Sequence, residues 1–326
     1  MNSRTRLRDV ARLLRDRLTL PASLLLVIAA LCWAGNFVVG RAMHADIPPV
    51  TLTFWRWSAA GCVLLPFAAP SVCRWRAELC RQRLLLLMLA LTGVVLFHLF
   101  VYTGLHTTTA TNAALMLATT PVLIPGFSLL LLKERITLRQ GFGIMISLLG
   151  VAVIVLRGHL HLIASLTLNP GDLWILLAVP TWALYSVLLR RLPSSLPRLT
   201  VLVVIVAIGV VVLAPLYVLE VSRAGAIDVT VETILAIGYV ALFASVIAYI
   251  CWNRAVIEIG ANKSGLYLHL MPVFATGLAI ILLSETLRAY HLVGVGFIAM
   301  GIVLTTRDGP WLSQKTTKDG PTRKER

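Results

Sequence analysis

LPASLLLVIAALCWAGNFVVG, residues 20–40, carries no charged side chain across 21 positions and ends against Arg41. At 1.5 Å per residue, a helix of that length crosses the roughly 30 Å hydrocarbon layer of a bilayer. The stretch is too long for a secretory signal and holds Asn36 and Arg41 where a small-residue cleavage site would stand. Nine further apolar runs follow it, so it reads as a mature membrane helix. Those runs lie at about 47–68, 84–105, 110–132, 140–156, 172–189, 199–219, 232–250, 264–284 and 289–306. Breakers punctuate the gaps: Pro48 and Pro49, Pro70, Asn169-Pro170-Gly171, Pro193 and Pro197, and Gly309-Pro310. Of 326 residues, 58% are hydrophobic and 13% charged, and mean hydropathy is +0.87. Soluble domains run at roughly 45–50% apolar and about 25% charged. Ten spans of about 20 residues take about 200 positions and leave no room for a sizeable soluble domain. The expectation is an all-α membrane protein with ten transmembrane helices.

A net charge of +15 would point to nucleic acid in a soluble chain. In a membrane chain, its placement decides. With the N-terminus in the cytoplasm, 24 of the 29 Lys and Arg fall on the inner side, six of them in each tail. Only Arg41, Arg157, Arg223 and Arg288 fall on the outer side, and Arg56 alone lies inside a span. That bias puts both termini in the cytoplasm of a bacterial inner membrane. It accounts for the charge without nucleic acid and sets the basic tails against anionic lipid. The five cysteines, Cys32, Cys62, Cys73, Cys80 and Cys251, form no CxxC pair and have no histidine at zinc-finger spacing. Neither a disulfide framework nor a metal site or cofactor is expected.

The chain repeats itself. Trp33-Ala34 with Arg41 matches Trp182-Ala183 with Arg190 at an offset of 149. Pro121, Glu134, Gly143 and Gly150 match Pro272, Glu285, Gly294 and Gly301 at an offset of 151. A net insertion of two residues between the blocks reconciles them. The organisation is then a basic tail over 1–19, a five-helix repeat over 20–156, a connector over 157–171, a second five-helix repeat over 172–306 and a basic tail over 307–326. Because five is odd, the second repeat enters the membrane from the opposite side. Inverted repeats of this kind are characteristic of secondary transporters, with the substrate site near the midplane between them.

Cys32-Trp33-Ala34-Gly35-Asn36-Phe37, Arg56, Pro121 followed by Lys133-Glu134, and the echoes Trp182, Pro272 and Glu285 resemble the EamA-type drug/metabolite transporter superfamily. The aromatic residues at mid-helix positions are similar to those of the YddG-type bacterial exporters. That likeness implies export of aromatic amino acids and related small molecules from the cytoplasm. One departure stands out: Leu184 and Tyr185 occupy the places of Gly35 and Asn36, so the halves cannot contribute equally to a site.

The polar residues within the spans are the candidate site. None of the 14 acidic residues falls at mid-span, which removes a buried carboxylate as proton relay and points to gradient-driven export or weak coupling through histidine. Arg56 could be a counter-charge for a substrate carboxylate, or could serve a structural ion pair or bond to helix-end carbonyls. His98 and Tyr102 share a helix face, and their repeat counterparts are Tyr249 and Asn253, which suggests a common cavity wall. His98 must face protein or water, and is the leading candidate for pH sensitivity. Trp33 and Trp182 lie too deep for an interfacial belt and could cradle an apolar body or attract an ammonium. Asn36, one turn beyond Trp33, can offer a donor and an acceptor. With Tyr185, Trp252 and Tyr267 these make the substrate-binding set. Trp55, Trp57, Trp75, Trp174 and Trp311 are assigned to the belt or to interfaces. Pro121 and Pro272 are candidate hinges. Gly141, Gly143, Gly150, Gly294, Gly296 and Gly301 form close-packing faces for a core or a dimer contact, with a monomer as the working expectation.

Two motif matches fail on context. Gly294-Val-Gly296-Phe-Ile-Ala299 fits a dinucleotide fingerprint by letter but lies in a membrane helix, and the Asn262-Lys263-Ser264 sequon lies inside. An intramembrane enzyme lacks any catalytic or metal-ligand spacing. The open alternative to an amino-acid exporter is a multidrug or other metabolite carrier of the same superfamily.

Overall fold

Helices account for the apolar runs, and no strand occurs among the described residues. The computed structural model describes residues 20–108, 113, 116–156, 158, 169–283 and 288–306. Both tails, Arg157, Glu285, Gly309-Pro310 and Trp311 lie outside them. In chain order the helices are α1 (Ala22–Ala42), α2 (Pro49–Arg74), α3 (Arg83–Thr107), α4 (Thr120–Leu132) and α5 (Leu138–Val155). They continue as α6 (Pro170–Leu188), α7 (Arg198–Ala224), α8 (Val231–Ile259), α9 (Leu270–Leu283) and α10 (Ala289–Thr306). Seven of these, α1, α3, α5, α6, α7, α8 and α10, are long and apolar enough to cross a membrane, and α4 is a shorter apolar helix. Large apolar side chains such as Phe67, Leu130 and Val211 are exposed on the outer surface, as a bilayer environment requires.

Local chemistry sets several boundaries. Asn169 accepts from the Gly171 and Asp172 backbone amides while the Asp172 carboxylate accepts from the Asn169 amide, a capping box that starts α6. Thr137 and Gln140 do the same for α5. Glu220, near the end of α7, accepts from the Val50 and Thr51 amides at 3.2 and 2.6 Å and so holds the first turn of α2 by its dipole. Pro70 was expected to end the second span, but α2 runs through Pro66 and Pro70 to Arg74. Membrane helices retain proline because neighbouring groups satisfy the carbonyl it frees.

The packing treats the two halves alike. α1 packs on α8 and α9, and α6 packs on α3 and α4; α2 packs on α7, and α5 on α10. Exchanging each helix for its counterpart five places on maps this set of contacts onto itself. Counterpart helices also run antiparallel. Thr51 meets Glu220 at one end of the α2–α7 pair, and Ser71 meets Thr200 at the other. Arg41 donates to the Leu105 carbonyl at the end of α3, and its repeat match Arg190 donates to the Ile257 carbonyl at the end of α8, at 2.7 and 3.0 Å. Both guanidinium groups thereby cap helix C-termini.

Glycine sets the α5–α10 contact. A Cβ on Gly143 would meet the Gly301 carbonyl, and one on Gly150 would meet the Gly294 carbonyl, so the backbones approach too closely for any side chain. Gly141 and Gly296, expected on the same faces, are not part of it: Gly296 has nothing within 4 Å. Only the glycines matched by the repeat make the contact. Gly301→Val is expected to destabilise the protein by about 1–3 kcal/mol through overpacking. Gly296→Val should change it by less than about 0.5 kcal/mol. Thermal unfolding of the two variants in detergent checks this.

Candidate functional site

A cavity of about 460 Å³ lies among α1, α3, α4, α6 and α9. α1 contributes Trp33, Asn36 and Phe37 to its wall, α3 contributes Phe97 and His98, and α6 contributes Trp182. The cavity continues to Arg41 and the exposed Ala42, which lie about 12 Å beyond Trp33 along the helix axis. No acidic residue among the described ones lines it. Trp33, His98 and Tyr249 converge, with Tyr249 6.1 Å from the Trp33 ring and 6.2 Å from the His98 ring, but of the expected common wall of His98, Tyr102, Tyr249 and Asn253 only His98 lines the cavity.

On the side away from Arg41, aromatic rings close the space. Trp33 stands edge-on to Trp182 at 5.0 Å and to Trp252 at 5.4 Å, and its indole N–H donates to the Ala244 carbonyl at 3.0 Å. Tyr185 and Tyr249 lie behind Trp182 at 5.2 and 5.6 Å. These rings are all buried, and Tyr185, Tyr249 and Trp252 do not line the cavity but seal it. Tyr267 is buried in the same core and does not reach the cavity. Its neighbour Leu268 does.

Beside the cavity sits a fully buried charge. Arg56 donates from Nε to Ser245 at 2.9 Å and from Nη1 to Tyr102 and Asn36 at 2.5 and 3.1 Å. Tyr102 also donates to the Asn36 carbonyl oxygen at 2.8 Å. Arg56 forms no ion pair among the described residues, and its Nη2 has no hydrogen-bond partner. Trp57, expected at the membrane belt, is 0% exposed; it packs edge-on to His98 and Tyr249 because it follows Arg56 on the inward face of α2. Trp55 and Trp174 are exposed, as the belt assignment requires.

The repeat resolves the mismatch at Tyr185. In the first half, Asn36 on α1 accepts from Tyr102 on α3; in the second, Tyr185 on α6 donates to Asn253 on α8 at 2.8 Å. The residue types are exchanged between the helices, and the bond is kept. Each third helix also carries a π-helical segment at the equivalent place, Leu91–Leu96 in α3 and Val240–Ile247 in α8. Such segments widen the helix and turn carbonyls outward. The Gly93 carbonyl accepts from Tyr249, and the Val240 carbonyl from Ser245, which in turn receives Arg56.

Pro121 and Pro272 sit beside helix interruptions. Pro121 is the second residue of α4, just after a turn at residues 118–119. Pro272 is the third residue of α9 and follows a 3-10 segment, Leu266–His269, whose Leu268 carbonyl the proline cannot engage. Both prolines therefore lie in the first turns of their helices. The two interruptions touch, since His269 is buried with Nε2 2.8 Å from the Ala118 carbonyl and Nδ1 2.7 Å from the Ser147 hydroxyl.

The model of the EamA-like transporter family matches residues 20–156 and again residues 169–307. The chain belongs to that family. This EamA-like chain is 29% identical over 290 residues to an uncharacterized transporter of Archaeoglobus fulgidus, covering 87% of this chain and 96% of that one. It is 28% identical over 301 residues to the uncharacterized inner membrane transporter YedA of Escherichia coli, covering 90% and 93%. A solved crystal structure superposes with a TM-score of 0.68 at 22% identity over 87% of this chain and 96% of that one, which shows a shared fold. The family and these relatives make the chain a multi-pass membrane transporter.

In this EamA-like transporter the sequence reading missed Phe97, Phe37 and Met271 as wall residues. Apolar side chains in an apolar helix carry no signal of their own. Phe97 was adjacent to His98, and Phe37 to Asn36, which was the signal available.

Proposed function

We propose that this protein exports small amphipathic metabolites, with aromatic and other apolar amino acids as the favoured cargo, by alternating access. The observation that carries the reading is the aromatic-walled cavity between the halves, open toward Arg41 and sealed beyond Trp33 and Trp182. The antiparallel counterpart pairs support two inverted five-helix repeats, over 20–156 and 172–306. With α2, α4 and α9 also spanning, ten helices would place both termini in the cytoplasm, and the bias of 24 basic residues to 4 supports that topology. Arg41 then marks the external end, and the cavity is outward-facing. Trp33, Asn36, His98 and Trp182 contact substrate. Tyr102 positions Asn36, and Tyr185, Tyr249 and Trp252 act as the inner gate. The touching interruptions before Pro121 and Pro272 are the hinges about which the gates exchange. One chain contains the whole cavity, so a monomer suffices.

A multidrug carrier is the alternative. The absence of a carboxylate from the cavity wall weighs against cationic drugs. Counterflow tests the choice: proteoliposomes preloaded with unlabelled phenylalanine are expected to accumulate labelled phenylalanine transiently, with tryptophan and methionine competing and cationic dyes not. Accumulation of dyes with no response to any amino acid would refute the amino-acid reading.

A further inference from the structure

Resting on that transport reading, we infer that the cavity is built to hold a carboxylate, so that its ligands are monocarboxylates with an apolar or aryl body, for which an α-amino group is dispensable. Charge and the orientation of one amide point to it. The donor free to face the cavity is the Asn36 amide nitrogen, which takes part in no hydrogen bond among the described residues. The Asn36 oxygen is already occupied: it receives both Arg56 and Tyr102, which fills its two lone pairs. His98 Nδ1–H donates to the Val94 carbonyl at 3.2 Å, which leaves Nε2 as an acceptor on a residue that lines the cavity.

Arg56 also decides which way Asn36 faces. A guanidinium only donates, so it fixes the oxygen of the Asn36 amide toward itself and leaves the two N–H donors of that amide for the cavity that Asn36 lines. The field has the same sign: Arg56 behind Asn36 and Arg41 at the mouth are positive, neither is ion-paired among the described residues, and no acidic side chain lines the wall. The positive field and the free Asn36 amide donors favour an anion that accepts hydrogen bonds. An ammonium would find aromatic faces and no carboxylate. Arg56 is thus a positioning residue, acting through Asn36.

The test uses the full-length protein in lipid nanodiscs and displacement of labelled phenylalanine by three compounds: 3-phenylpropionate, which lacks the amino group, phenethylamine, which lacks the carboxylate, and phenylalanine itself. 3-Phenylpropionate is expected to compete within about threefold of phenylalanine, and phenethylamine about 10–100-fold more weakly, the cost of losing hydrogen bonds to a charged group. Arg56→Gln should erase most of this preference for the acid. Asn36→Asp keeps an oxygen for Arg56 and removes the amide donors from the cavity, so it should weaken the acid severalfold without weakening phenethylamine, and it serves if Arg56→Gln does not fold. Equal or tighter binding of phenethylamine, with phenylalanine still bound, would overturn the carboxylate assignment and leave the export reading standing. Failure of all three compounds, with cationic dyes binding, would sink both.

Discussion

Trp33→Ala is expected to destabilise the transporter by about 3–5 kcal/mol, the range for deleting a large aromatic from a packed interior. It is also expected to abolish trans-stimulated exchange. Trp33 is 7% exposed and touches Trp182, Trp252 and Tyr249, so it is the ring on which the others converge. Its N–H also occupies the Ala244 carbonyl within the widened segment of α8. Alanine would leave a void continuous with the cavity, because Trp33 both lines that space and forms part of the seal. The seal would then leak, and labelled phenylalanine would enter at the same rate whether or not the vesicles were preloaded. Trp33→Phe keeps most of the ring contact and forfeits one hydrogen bond, about 1 kcal/mol, so it should retain exchange. Unfolding in detergent and counterflow in proteoliposomes measure the two effects separately. An alanine variant as stable and as trans-stimulated as the parent would show that the ring cluster is not the gate.

The same residues show what the sequence could and could not say. Gly143, Gly150, Gly294 and Gly301 were legible because an internal match is a constraint, and the constraint is backbone contact between α5 and α10. Gly141 and Gly296 had only composition to recommend them, and both lie off that contact. Arg41 and Arg190 matched because each caps the third helix of its half. Tyr185 looked like a break in the pattern. The match was sought position by position, whereas the hydrogen bond is conserved across a pair, with Asn and Tyr exchanged between helices. The π-helical segments left no trace, since an extra residue per turn in a uniformly apolar run disturbs no visible periodicity. Trp57 was misplaced for a related reason: depth along a helix can be counted from sequence, but which face of α2 meets α3 and α8 is decided by packing.

If the cargo is an anion, the membrane potential becomes the driving force, and its effect is expected to be large. Moving one negative charge outward across an inside-negative 100 mV is favourable by about 2.3 kcal/mol. At about 1.4 kcal/mol per decade this is roughly 50-fold in the equilibrium distribution. A zwitterionic amino acid carries no net charge and gains nothing. Vesicles holding the transporter and a potassium–valinomycin potential should therefore redistribute 3-phenylpropionate by that factor beyond protein-free vesicles and reverse with the sign of the potential. Phenylalanine should stay near its unpolarised distribution. The acidic groups agree: Asp172, buried at the start of α6, is committed to capping that helix and accepts from Thr108, and no acidic side chain among the described residues lines the cavity. A transporter of this build can export an organic acid without a coupling ion, because the cell's own potential expels the charge that Arg56 and Arg41 attract. Acid transport that ignored the potential and required a pH gradient would contradict this, and would redirect attention to His98 and His269 as the titrating groups.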